Sequence, residues 1–126
     1  MTSRTITLNS TIYGTLDCQN KVNLTQLFMT PTVVTTNHTI STNEYLIYVD
    51  TAAATGAVSI TLPLASSVSN QTFYVTDATG AANTKNITIL ASGSDLICGQ
   101  SSVLINNSYT SLTFFAYGPK NIYSII

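Results

Sequence analysis

A chain of 126 residues is long enough for one compact domain, or one domain with an arm. Only 7% of it is charged, where an ordinary soluble domain carries roughly 25%, and the net charge is −1. Four Lys and Arg residues cannot neutralise a run of phosphates or anionic headgroups, which excludes nucleic-acid binding by counterion release and polybasic membrane attachment; the 44% hydrophobic content argues against disorder.

At the N-terminal end, Thr5-Ile6-Thr7-Leu8 and Thr11-Ile12-Tyr13 read as strands, with Gly14 as a break. Val22, Leu24, Leu27 and Phe28 fit a short amphipathic helical turn or an irregular strand equally well, and Thr30-Pro31-Thr32 reads as a linker. Residues 1–42 are therefore expected to be an arm or small attachment subdomain, or simply the first strands of one fold. Met1–Ser10 is too polar for a signal peptide, and no apolar run approaches the ~18 residues of a bilayer-spanning helix, so membrane insertion is not expected.

From residue 43 the pattern is regular. Val58, Ile60 and Leu62 alternate with Ser59 and Thr61 before Pro63, which ends a strand because it cannot donate to the ladder. Phe73 and Val75 alternate with Thr72, Tyr74 and Thr76; Ile87 and Ile89 alternate with Asn86 and Thr88; Val103 and Ile105 follow the same rule. Between them lie Thr55-Gly56, Asp77-Ala78-Thr79-Gly80, Ser92-Gly93-Ser94-Asp95, Asn106-Asn107-Ser108 and Gly118-Pro119-Lys120-Asn121, all turn signals. The Asp77–Gly80 stretch suits a type I turn closed by a glycine with positive φ. This punctuation predicts an all-β domain over 43–126, an antiparallel β-sandwich or a jelly-roll-like barrel.

Three segments break the simple alternation. Tyr45-Leu46-Ile47-Tyr48-Val49, Leu112-Thr113-Phe114-Phe115-Ala116-Tyr117 and Ile122-Tyr123-Ser124-Ile125-Ile126 carry large apolar groups on both faces. A half-exposed strand should show one polar face, so a second layer must cover these, supplied by the chain itself or by another subunit. The polar remainder is neutral: 36 Ser and Thr and 15 Asn and Gln. Such a surface lacks the charge that keeps small proteins apart in solution. The expected assembly surface comprises Phe114, Phe115, Tyr117, Tyr123, Ile125 and Ile126.

From Tyr45 to Ile126, about two-thirds of the chain, the order of these pieces resembles a module found near the ends of bacteriophage tail fibres and in virion proteins of large DNA viruses. The resemblance rests on Tyr45-Leu46-Ile47-Tyr48-Val49-Asp50-Thr51, Val58-Ser59-Ile60-Thr61-Leu62-Pro63 and Phe73-Tyr74-Val75-Thr76-Asp77 with Gly80. It continues through Asn86-Ile87-Thr88-Ile89, Ile97-Cys98-Gly99 and Ser111-Leu112-Thr113-Phe114-Phe115 to Tyr123-Ser124-Ile125-Ile126. The chain departs from that pattern at Ile122-Tyr123, where the family often has Trp, and at Cys98, where a small or acidic residue is common. The resemblance implies a homotrimer around a threefold axis, located in the virion as a fibre tip or knob. Capsid or tail proteins would be held through residues 1–42, and a host glycan would be the expected ligand. A minor capsid or cement protein with no receptor is the alternative, and a secreted carbohydrate-active protein a more distant one.

Candidate chemistry is sparse, and neither a catalytic centre, a metal site nor a cofactor is expected. His38, in Thr36-Asn37-His38-Thr39, lacks a nucleophile elbow and reads as a loop histidine. Asp17, Asp50, Asp77 and Asp95 stand singly beside turns, where an Asp bonds its own backbone. Only the pairs Asp50/Asp77 and Asp77/Asp95 offer the two carboxylates of a glycosidase. Cys18 and Cys98 read as free and buried thiols, with a disulfide conceivable. Asn9, Asn23, Asn37, Asn70, Asn86 and Asn106 head Asn-x-Ser/Thr sequons, which this composition also produces by chance. Tyr109, in a predicted loop, is the candidate glycan contact, since tyrosine rings stack on sugars.

Overall fold

The alternating Val, Ile, Thr and Ser runs become short strands in a computed structural model, which describes Gln19 and residues 28–126. The expectations placed on Thr5–Leu8, Thr11–Tyr13, Val22, Leu24 and Leu27 lie outside the described residues, as do Asp17, Cys18, Asn9 and Asn23. Among the described residues the strands are β1 (Thr32–Val34), β2 (His38–Thr39), β3 (Leu46–Val49), β4 (Val58–Thr61) and β5 (Thr72–Asp77). They continue as β6 (Ile87–Leu90), β7 (Leu96–Ile97), β8 (Ser102–Ile105), β9 (Ser111–Tyr117) and β10 (Ile122–Ile125). Helical structure among these residues is limited to two single-turn 3-10 segments, Ala65–Ser67 and Gly118–Lys120.

Two mixed sheets result, one ordered β1-β3-β5-β9-β10-β7 and the other β2-β4-β6-β8. The antiparallel expectation is corrected here. Up to β6 the chain passes from one sheet to the other and back, so each returning strand lies parallel to its predecessor: β1 on β3, β3 on β5, β2 on β4 and β4 on β6. Antiparallel pairing enters with β8 on β6, β9 on β5 and β10 on β9, while β7 joins β10 in parallel. Period-two alternation sets which side chains face inward but is the same for both strand directions, which is why the sequence did not distinguish them.

β1 and β2 precede residue 43, pair into the same two sheets as the later strands, and are followed by the buried Ile40. Residues 32–40, within the stretch read as an arm, thus contribute to the same two sheets and core as the later strands, and the segment Thr30–Thr32 read as a linker runs into β1.

One hydrophobic cluster collects the inward side chains of both sheets. Ile47, Val49, Phe73, Val75, Phe114, Ala116 and Tyr123 come from the six-stranded sheet, and Val58, Ile60, Ile87, Ile89 and Ile105 from the other. Removing such side chains from water contributes roughly 1.5–3 kcal/mol each, the dominant stabilising term in a chain with few charges. The Tyr123 ring meets Phe73 edge-on at 6.3 Å, and its hydroxyl donates to the Pro63 carbonyl at 2.6 Å, so the buried phenol has a partner.

Candidate functional site

The outer surfaces of the two sheets differ in kind. On the four-stranded sheet the outward positions are mostly hydroxyls: Thr39, Ser59, Thr61, Thr88 and Ser102, with Leu90 and Leu104. On the six-stranded sheet, register places Val33, Tyr48, Thr76 and Ser111 in one outward row and Leu46, Tyr74 and Thr113 in the next. Phe115 follows between Thr72 and Ser124, and Tyr117 lies beside Ile122, which in turn lies beside Leu96. None of these positions is charged. Tyr48, Tyr74 and Tyr117 remain open to solvent, as do Val33 and Leu96.

The expected assembly residues divide across this sheet. Phe114 and Tyr123 are 0% and 1% exposed within the single chain and belong to its own core, which corrects their assignment to a surface. Phe115, half-buried, and Tyr117, exposed, point outward. Ile126 is 72% exposed beyond the end of β10, and its N–H donates to the Thr113 carbonyl at 3.0 Å. Ile125 has the inward parity of Tyr123 but lies at the strand end, where it is partly exposed. The apolar character read on both faces of β3, β9 and β10 is thus real. The chain's own hydrophobic cluster covers the inner half only.

A second feature gathers three loops at one end of the sheets. Asp77, the last residue of β5, is 1% exposed, and among the described residues no cation forms an ion pair with it. Its Oδ1 accepts from the Thr51 hydroxyl at 2.5 Å and the Gly80 N–H at 3.0 Å; its Oδ2 accepts from the Ala82 N–H at 3.1 Å and the Tyr109 N–H at 3.0 Å. Burial pushes this carboxyl up, but the Thr51 hydroxyl and the three backbone donors outweigh it and hold the pKa below the usual 3.8. The loop after β3, the loop after β5 and the loop before β9 are thereby tied to one carboxylate. Around it, Thr79 Oγ1 donates to Asp50 Oδ1 at 3.0 Å and accepts from the Ala52 N–H at 2.9 Å. Lys85 Nζ donates to the carbonyls of Ala52 and Ala54, at 2.9 and 2.6 Å.

Tyr109 sits on this end, 71% exposed, with φ +60°. The far end of its ring rests on Gly80, where an added Cβ would overlap the ring and hydroxyl, and Gly80 itself has φ +84°. The glycine expected to close the Asp77 turn does so, and it also makes room for the tyrosine.

The other candidates have structural roles. His38 Nε2 lies 3.0 Å from Glu44 Oε2, and Glu44 Oε2 also accepts from the Ser41 N–H at 2.8 Å. Burial raises the Glu44 pKa, but the Ser41 N–H, the hydrogen bonds from His38 and Thr32 and the nearby His38 charge bring it below 4.5 overall. Asp95 is buried, and its Oδ2 accepts from the Ala65 N–H at 2.7 Å. Burial, then the Asp95 charge, raises the Tyr123 phenol pKa. Asp95 precedes β7, which lies alongside the start of β10, whereas Asp77 ends β5 at the far side, so the Asp77/Asp95 pair is split between the two ends. The Asp50/Asp77 pair shares one loop cluster, but Asp77 is buried with four donors on it. Cys98, expected to be buried, is exposed, and its Sγ accepts from the Ile125 N–H at 3.3 Å. Asn37 Oδ1 accepts from the Ser59 N–H at 2.8 Å, and Asn70 takes a left-handed φ of +69°, so both serve the backbone. Asn86 is half-buried and Asn106 exposed. Among the described residues there is no enclosed pocket and no cluster of three potential metal ligands.

Set against known protein families and curated proteins, the chain matches no family model and no curated protein.

Proposed function

We propose that the chain is a non-enzymatic structural protein of a virion, a homotrimeric fibre tip or knob that offers its loop end to a host surface. The observation that carries this reading is the uncharged, aromatic outer face of the six-stranded sheet. Each subunit is then a two-layered β-sandwich whose third layer is the same sheet of neighbouring copies. Three such faces turned toward a common axis would cover Tyr48, Tyr74, Phe115 and Tyr117 in closed cyclic symmetry, with no free copy left to extend the assembly. With a net charge of −1, copies approach without mutual repulsion. Covering the exposed part of each aromatic is worth on the order of 1 kcal/mol, multiplied over three equivalent faces. Capsid or tail proteins would be held through residues 1–42.

Light scattering on the purified chain tests the reading: a species of three times 13.4 kDa is expected, insensitive to added salt because few charges take part. Tyr74→Lys, at the middle of the outer face, should release folded monomers, recognised by an unchanged circular dichroism spectrum. A wild-type chain that is monodisperse at 13.4 kDa overturns the proposal.

A further inference from the structure

We infer that Tyr109 is the stacking platform of a binding site for an uncharged saccharide ring, at the loop end of each subunit. This rests on the attachment reading above and specifies the ligand chemistry that end would accept. An aromatic residue with φ +60° is held in a conformation that costs an L-residue roughly 1–2 kcal/mol. The N–H of that residue is clamped at 3.0 Å by a buried carboxylate that also fixes the Gly80 turn on which the ring rests. The strain therefore yields no core packing: the ring so positioned is 71% exposed. What it yields is a rigid, presented aromatic surface, the arrangement that lowers the entropy cost of stacking a flat ligand.

The neighbouring side chains define the ligand's charge. Asn106, Asn107 and Ser108 precede Tyr109 in its own loop and are exposed, and Asn83 is exposed in the loop tied to it through Asp77. They supply amide and hydroxyl partners suited to sugar hydroxyls. The one amine of the cluster, Lys85, is engaged by two backbone carbonyls. The other charges of the cluster, Asp50 and the buried Asp77, are negative. With the Lys85 amine turned onto backbone carbonyls and a net charge of −1 over Asp50, Asp77 and Lys85, the cluster offers an anionic sugar no free cation to pair with, so neutral hexoses and N-acetylhexosamines are favoured over sialylated glycans.

The test is a glycan-array screen of the full chain, followed by NMR titration with lactose, N-acetylglucosamine and 3′-sialyllactose. Neutral sugars should bind at about millimolar Kd per site, with the Tyr109 ring resonances shifting and 3′-sialyllactose binding no tighter than lactose. Tyr109→Ala should weaken binding at least tenfold while leaving the denaturation midpoint nearly unchanged, because the clamp on Asp77 uses the backbone N–H. Tyr109→Phe should bind within about threefold of wild type, since the stacking surface remains. Equal binding by Tyr109→Ala, a preference for the sialylated sugar, or no response to any of these sugars overturns the inference. The mass of the same samples keeps the two readings apart. Tyr109-dependent binding by a monomer would retain the site and remove the trimer, and a trimer without sugar binding would do the reverse.

Discussion

Replacing Asp77 probes whether one buried carboxylate organises the loop end. Four donors converge on it, three of them backbone N–H groups from two loops. Hydrogen bonds to a charged acceptor contribute roughly 1.5–3 kcal/mol each, but donors near the chain surface recover part of that from water when the acceptor is removed. Asp77→Ala should therefore cost about 3–5 kcal/mol, a large fraction of the ~5–15 kcal/mol that stabilises a domain. Asp77→Asn should cost less. Its oxygen can keep the Ala82 and Tyr109 N–H groups while its amide turns to the Thr51 hydroxyl, leaving the Gly80 N–H without its partner, a loss of about 1–3 kcal/mol. Because the folded pKa of Asp77 lies below the unfolded 3.8, its contribution is fully present above that pH and is lost as pH falls through the folded value. Wild type and Asp77→Asn should differ most near neutrality and converge in strong acid. Glu44, also depressed in the folded chain, supplies a residual acid dependence common to both. Urea denaturation at fixed protein concentration from pH 7 down to pH 2 measures this directly. An Asn variant within 0.5 kcal/mol of wild type at pH 7, or a gap that stays constant into acid, would refute the assignment of the loop end to this carboxylate.

Two further variants test the packing on either end. Gly80→Ala forces a side chain into a left-handed backbone and into the Tyr109 ring, so thermal melting should show a loss of about 1–2 kcal/mol, and sugar binding should weaken as the ring is displaced. Tyr123→Phe keeps the edge-on contact with Phe73 but orphans the Pro63 carbonyl, and chemical denaturation should register a loss of about 1–2 kcal/mol with an unchanged oligomeric mass.

Much of the strand content is legible in the sequence, because side-chain alternation is a local property. Val58–Thr61, Thr72–Asp77 and Ile87–Leu90 form within a residue or so of where the alternation places them, and Gly80 has the positive φ its turn requires. The two- and three-residue strands β1, β2 and β7 were not legible: pieces so short carry too little pattern, and they exist only because a longer neighbour offers its free edge. Asp77 appeared as one of several turn aspartates. Nothing nearby in sequence marks it as the acceptor for Thr51, 26 residues earlier, or for Tyr109, 32 residues later. Tyr109 was visible as a loop tyrosine, whereas its strained backbone and its seat on Gly80 were not.

Composition and periodicity by themselves determined that this is a β-rich, nearly uncharged chain with apolar side chains on both faces of β3, β9 and β10. Only the tertiary structure decided that the early strands pair in parallel, that Phe114 and Tyr123 belong to the chain's own interior, and that Tyr48, Tyr74, Phe115 and Tyr117 line up on one open face. The reason is physical. Alternation fixes which residues share a side of one strand, but which strand lies beside it, and what covers each side, depends on contacts between residues far apart in the chain.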